Sequence, residues 1–214
     1  MLYVHAFTFS PVQENTYIVY NNKGNAIIID PGCYFAAEQE TLQSFLTNNG
    51  LTVVQLINTH CHLDHVFGNK WAAETFNLSL YIHPQEEKML AYAPQSGIKW
   101  GLPFDNYSGP LHFLKQDDIV QLDEDKMIVL ETPGHSPGSL SFYAKNEQFV
   151  IAGDALFSGS IGRTDLPFAN HEQLLSSIRT QLFTLPDAVK VYSGHGKPTT
   201  IGYEKLNNPY LKDS

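Results

Sequence analysis

The 214-residue chain carries 13 Lys and Arg against 22 Asp and Glu, a net charge of −9, which argues against a nucleic-acid partner because phosphate backbones need basic patches. Its apolar fraction, 43%, suffices for a sizeable core, and no apolar run approaches membrane-spanning length. Cys33 and Cys61 are too few for a disulfide framework and Met1–His5 shows no basic-then-apolar leader, so the expectation is one cytoplasmic domain over residues 1–214 with free thiols.

Leu2–Phe9 is rich in β-branched and aromatic residues and reads as a strand. Asn15–Tyr20 and Asn25–Asp30 are two more, joined by the Asn21–Gly24 turn, so the chain opens as an antiparallel meander. Asp30 ends a buried strand, where a carboxylate is costly unless paired or hydrogen-bonded. An Asp before Pro31 can simply start a turn; we expect it instead to orient the ligands of a metal. Phe35–Asn49 reads as a helix, with Ala37, Leu42, Phe45 and Leu46 on one face and Gly50 at its end. Val53–Ile57 is an apolar, β-branched run and reads as a buried strand. It delivers Thr59-His60-Cys61-His62-Leu63-Asp64-His65 to the C-terminal edge of the sheet, where open α/β sheets place their binding sites. A helix over Val66–Asn77 and a strand over Leu78–Ile82 follow, an alternation that implies right-handed crossovers and partly parallel pairing.

Pro84–Tyr92 reads as a short helix. From Ala93 to Gly109 the pattern fails, which suggests either a lid over a site or a packed surface loop. Val120–Leu122 and Met127–Leu130 form a hairpin turned by Asp123–Lys126. Thr132–Gly138 is a rigid turn, and Leu140–Tyr143 and Phe149–Ala152 are strands, the second followed by Gly153-Asp154. Ser158–Pro167 is a Gly-rich loop. Asn170 opens a helix with Gln173 placed as in a capping box, and Leu174, Ile178 and Leu182 space its buried stripe. The last strand, Val189–Tyr192, ends in Gly194-His195-Gly196, and a short helix runs from Thr200 to Asn207-Asn208-Pro209. The two halves repeat a broad order of strands and helices, so two sheets can pack face to face with loops meeting at one edge.

Imidazole nitrogens and carboxylate oxygens are the donors that zinc and similar first-row metals bind. His60, His62, Asp64 and His65 are crowded into one short segment. His135, Asp154 and His195 each follow an apolar run at a glycine-containing turn, where the backbone can bend tightly. A single four-coordinate zinc takes three protein ligands and a water, so this set suits two metals. His5, His83, His112 and His171 lack such a context and are expected to serve packing or the surface.

The ordered set His60-x-His62-x-Asp64-His65, His135, Asp154 and His195 resembles the metallo-β-lactamase-fold hydrolase superfamily over nearly the whole chain. Thr59–His65, Thr132-Pro133-Gly134-His135, Gly153-Asp154-Ala155-Leu156-Phe157, Gly162-Arg163-Thr164-Asp165 and Gly194-His195-Gly196 are most similar to its glyoxalase II-like (hydroxyacylglutathione hydrolase-like) members. The resemblance implies an α/β fold: an αβ/βα four-layer sandwich of two mixed β-sheets with helices on the outer faces. It implies His60, His62 and His135 on a first metal, Asp64, His65 and His195 on a second, and Asp154 bridging. A carboxylate has two oxygens, and metals about 3.5–4 Å apart can share it. The expected cofactor is two zinc ions per chain, with iron or manganese as alternatives. Glyoxalase II proper has a longer C-terminal helical region that supplies cationic glutathione contacts. This chain ends soon after His195 and resembles the shorter bacterial type. Ser139 stands where many relatives have another His.

Two such metals would hold a water between them and lower its pKa from about 15.7 toward about 7. The implied reaction is attack of that metal-bridging hydroxide on a small-molecule thioester, a hydroxyacylglutathione such as S-lactoylglutathione, with the metal stabilising the oxyanion. Asp64 is the expected catalytic carboxylate, ligating and also orienting the hydroxide. A thiol with an ordinary pKa of about 8.5 leaves without a strong protein acid. Cys61 is set aside as nucleophile because its neighbouring imidazoles are committed to metal and leave it no base. Arg163 is the best-placed non-metal site residue: its guanidinium can pair with a substrate carboxylate, or with Asp165. The alternative reading is a persulfide dioxygenase, which shares the fold and the Gly-Arg-Thr-Asp motif but uses one iron to oxidise glutathione persulfide. Leu63 and Val66-Phe67-Gly68 look more like the hydrolase branch.

Overall fold

In the computed structural model, which describes residues 1–212, fourteen strands and six α-helices follow one another along the chain. The strands are β1 (Leu2–Phe9), β2 (Glu14–Asn21), β3 (Asn25–Ile29), β4 (Thr52–Ile57), β5 (Leu80–Ile82), β6 (Leu111–Phe113), β7 (Ile119–Leu122), β8 (Asp125–Glu131), β9 (Leu140–Ala144), β10 (Phe149–Gly153), β11 (Leu156–Phe157), β12 (Ser160–Ile161), β13 (Lys190–Ser193) and β14 (Thr199–Thr200). The helices are α1 (Ala36–Asn48), α2 (Leu63–Val66), α3 (Asn69–Phe76), α4 (Glu87–Trp100), α5 (His171–Ser177) and α6 (Ile201–Asn207).

Strands β1 to β6 form one six-stranded sheet in sequence order. Its first three strands are the expected antiparallel meander, and β3 to β6 run parallel. The second sheet has the order β14-β13-β10-β9-β8-β7, parallel only between β10 and β13. The unbroken apolar runs of the inner strands follow from burial on both faces. In β3, Ile27 and Ile29 pack toward the other sheet with Val129, Phe142 and Ile151. Ala26 and Ile28 point the other way, onto Leu42 and Leu46 of α1 and Ala72 of α3. A third cluster covers the outer face of the second sheet, where Leu174 of α5 and Ile201 of α6 meet Val150 and Val191. Helix, sheet, sheet, helix is thus the layer order, as the resemblance implies.

Several boundaries differ from the sequence reading, three of them around the cleft and its first sheet. The expected helix over Val66–Asn77 is two helices, α2 and α3, split at Phe67-Gly68. A side chain at Gly68 would run into Cys33 Sγ and the Pro31 carbonyl, so the chain bends to lie against that loop. The segment from Ala93, expected to be irregular, continues α4 to Trp100 straight through Pro94. Proline removes the N–H that would bond the Leu90 carbonyl; Asn106 Nδ2 donates to that carbonyl instead, at 2.7 Å. Leu111–Phe113 is an unanticipated edge strand on β5.

Candidate metal centre

Every candidate ligand leaves the end of a strand at the same edge of the sandwich. Residues 58–65 follow β4, His135 follows β8, Asp154 follows β10 and His195 follows β13. Backbone bonds hold the edge together: Leu140 N–H donates to Thr59 O at 2.8 Å, Gly194 N–H to Gly153 O at 2.8 Å, and Asn15 N–H to Gly194 O at 2.7 Å. Asn15 Nδ2 also donates to Ser193 O and Gly196 O, at 3.0 and 2.9 Å, which ties β2 of the first sheet to the loop after β13 in the second.

The seven side chains converge. His60, His62 and His135 form one group whose donor atoms lie within 4.8 Å of one another, and Asp64, His65 and His195 form a second. Asp154 stands between them. Its Oδ1 is 3.4 Å from His65 Nε2, while its Oδ2 is 3.4 Å from His135 Nε2 and 3.8 Å from His195 Nε2. Asp64 Oδ2 is 3.1 Å from His195 Nε2.

For four imidazoles the outward nitrogen is fixed by an acceptor, which decides the tautomer. His135 Nδ1–H donates to Arg163 O at 2.8 Å and His195 Nδ1–H to Gln13 O at 3.1 Å. His65 Nδ1–H donates to Asp30 Oδ2 at 2.9 Å. His60 Nδ1–H donates at 3.0 Å to Thr59 Oγ1, which passes its own proton to Asp30 Oδ2 at 2.6 Å. Each therefore presents an Nε2 lone pair to the centre. His62 Nδ1 lies 2.8 Å from His135 Nε2, the separation of a hydrogen bond or of two nitrogens turned to one cation.

The charges of the site oppose burial. Burial alone raises the Asp154 carboxyl, but His65, His135 and His195 around it hold it well below the usual carboxylate range. Burial likewise works against the ionised Asp64, and His65 and His195 outweigh it. His60 is pushed well below its ordinary value by burial and by His65 and His62. His62 is pushed down to about 3 by burial and by His135. His65 goes the other way: burial works against its charge, but Asp154, Asp30 and Asp64 raise it well above its ordinary value, and against burial Asp64 and Asp154 also raise His195. Neutral His60 and His62 are ready to ligate, whereas His65 and His195 would give up a proton to a cation. His60 Nε2, His65 Nε2 and Asp154 Oδ1 are buried without hydrogen-bond partners, and all three face the same space. An unpartnered buried polar atom costs about 1–3 kcal/mol, so the donor set fits a metal centre.

Asp30 and Glu86 are the supporting carboxylates. Asp30 sits with the left-handed φ of 51° that an Asp tolerates, and its oxygens take Thr59 N–H, Thr59 Oγ1–H, His65 Nδ1–H and Asn58 Nδ2–H. With those acceptors filled, it orients imidazoles as expected and has no oxygen left to ligate. Glu86, fully buried just ahead of α4, was not foreseen. Its Oε2 accepts from Cys61 N–H at 2.7 Å, and its Oε1 from Ser136 Oγ–H at 2.6 Å and Gly138 N–H at 2.7 Å. It fastens the loop carrying His60 and His62 to the loop carrying His135. Glu14 is buried beside His65, 3.9 Å from its Nδ1. A Glu beside a proline-led turn carries no sequence signal of such a role, so a single sequence offers no means of finding Glu86.

Cys61 is fully buried, and burial together with Glu86 pushes its thiol well above the ordinary value, in line with setting it aside as nucleophile. Arg163 borders the cleft above the centre. Its guanidinium makes two 2.7 Å bonds to Asp165, and its carbonyl holds His135. His83 is buried, 3.2 Å from Glu131.

Residues 9–195 match the metallo-beta-lactamase superfamily. The chain belongs to that superfamily. Hydroxyacylglutathione hydrolase GloC of Haemophilus influenzae is 36% identical over 201 residues, covering 93% of each chain. Among solved structures, the B3 metallo-beta-lactamase BLEG-1 matches with a TM-score of 0.90 at 36% identity, over 100% of both chains. TTHA1623, in a di-iron-bound form, matches with a TM-score of 0.88 at 36% identity, over 97% of this chain and 100% of its own. ETHE1 from Myxococcus xanthus is more distant, at 26% identity and a TM-score of 0.79, over 97% of this chain and 83% of its own. The superfamily is one of metallo-hydrolases, and this member carries a clustered His and Asp set fit for metal. None of its helices in the described residues is long and apolar enough to cross a membrane.

Proposed function

We propose that this chain is a metal-dependent thioester hydrolase of the hydroxyacylglutathione hydrolase type, one domain acting in the cytoplasm on substrates such as S-lactoylglutathione. The observation that carries the reading is Asp154, whose carboxylate stands between the two groups, with Oδ2 near His135 of one and His195 of the other and Oδ1 facing His65. His60, His62 and His135 would hold one cation and Asp64, His65 and His195 a second, with Asp154 shared. Divalent cations bound there supply Lewis acidity toward the carbonyl and lower the pKa of a bound water to about 7. Asp64, only partly buried at the cleft floor, accepts a hydrogen bond from the attacking water and orients it. Asp30, Thr59, Gln13 O and Arg163 O hold four of the five imidazole rings in place before any substrate arrives. The similarity to GloC supports the thioester substrate, and that to the di-iron TTHA1623 makes iron as admissible as zinc.

A persulfide dioxygenase is the second reading, supported by the likeness to ETHE1 and by the Gly162-Arg163-Thr164-Asp165 segment, which the resemblance implies for such enzymes too. The higher identity to GloC favours the hydrolase. Metal analysis combined with two assays tests the choice. Two metals per chain with thiol release from S-lactoylglutathione is the expected result. One iron per chain with oxygen uptake on glutathione persulfide, and no thiol release, would overturn it.

A further inference from the structure

The cleft above the metal centre has a volume of about 380 Å³, and its floor includes His62, Asp64, His135, Asp154 and His195. One wall is a single face of α4, where Met89, Tyr92, Ala93, Ser96 and Trp100 recur at helical spacing, Ser96 being its one small polar member. Phe157 and Ile161 of the β11–β12 ladder also line the cleft. Trp100, at the end of α4, is 56% exposed, a large aromatic left partly in water at the cleft. Among the described residues that line the cleft, Arg163 is the one Lys or Arg, and Asp165 already engages its guanidinium. Lys99 lies outside the lining, with its ammonium on the Tyr92 hydroxyl at 2.7 Å.

A glutathione thioester has a charged half and an uncharged half. The glutathionyl half bears carboxylates and an ammonium, and burying those among apolar side chains without partners is costly. The acyl half is the part such walls can take. A lactoyl group, a methyl and a hydroxyl, covers little of them. We propose that this cleft selects thioesters whose acyl group is apolar and larger than lactoyl, with Trp100 setting that preference. The inference rests on the thioester reading of the site and names its substrate class. In the reaction, one water adds its oxygen to the acyl carbon and the carbon–sulfur bond breaks. A carboxylate and a thiol form, with one proton released.

The test compares S-lactoylglutathione with S-hexanoylglutathione in the metal-loaded enzyme, and S-methylglutathione with S-hexylglutathione, which cannot be hydrolysed, by calorimetry. The hexanoyl substrate is expected to have the higher kcat/KM by about tenfold or more, the scale of a single well-seated methylene. The hexyl thioether is expected to bind more tightly than the methyl one, and Trp100→Ala is expected to shrink both ratios by about threefold or more. Equal or better turnover of S-lactoylglutathione overturns the inference and leaves the hydrolase reading standing. Ratios that are unchanged in Trp100→Ala overturn the part given to Trp100. If no thioester is turned over yet thioether binding still rises with chain length, the apolar preference holds and the hydrolase reading falls. Neither turnover nor chain-length dependence overturns both.

Discussion

Asp30 Oδ2 receives both the Nδ1 proton of His65, at 2.9 Å, and the hydroxyl proton of Thr59, at 2.6 Å. Through Thr59 it also orients His60, so one carboxylate at the end of β3 sets an imidazole in each of the two ligand groups. Asp30→Asn puts an amide N–H₂ where one of these donors now finds an acceptor. Its expected effect is a 10–100-fold loss of metal affinity, the usual scale for groups that orient ligands. Chelator competition measures it, and affinity within twofold of the parent would remove Asp30 from this role.

His60 sits at the centre of one group and is fully buried. With the ring removed, His60→Ala is expected to lose metal and turnover together while far-UV circular dichroism keeps its shape. Turnover at the parental rate would refute the ligand assignment.

For Glu86 the exchange to Gln is the informative one. Its two oxygens face backbone N–H groups on different ligand loops, those of Cys61 and Gly138. An amide can accept from only one of them and sets donor against donor at the other. About 1–3 kcal/mol of stability should be lost, a fall of several degrees in Tm for a chain of this size. Metal affinity should fall with it. A thermal scan that overlays the parent's would show that the two loops do not depend on this carboxylate.

Gly194 is held to its identity by what lies beside it. A methyl at this position would collide with Asp154 Oδ1 and come within 2.7 Å of His65 Cε1. Gly194→Ala is therefore expected to weaken the group of Asp64, His65 and His195 more than that of His60, His62 and His135. Metal content should fall from two toward one per chain after dialysis. Two tightly held ions in the variant would contradict the shared position of Asp154.

Much of this was legible because the determinants are local. The run Val53–Ile57 ahead of Thr59–His65 announces a buried strand releasing a ligand loop, and the meander to Asp30 follows from short turns between apolar runs. The convergence of His135, Asp154 and His195 rested on resemblance, since nothing in their spacing fixes a distance. The misread stretch is Ala93–Trp100. Pro94 is a strong local signal against helix, and the group that neutralises it, the Asn106 amide on Leu90 O, acts from beyond the helix end. Phe67-Gly68 shows the reverse: the local sequence permits one helix, and the close approach of Cys33 and Pro31 breaks it. Glu86 escaped notice because its three partners are brought to it by tertiary folding alone.

The candidate ligands are divided between the two sheets: four follow β4 in the first, and three follow β8, β10 and β13 in the second. Ions seated among them would cross-link the halves of the sandwich, and their binding energy would add to that of folding. Stripping the ions would then open a seam for proteases as well as stop turnover. The lifetime of the molecule in a cell short of metal would be governed by the same event that silences it.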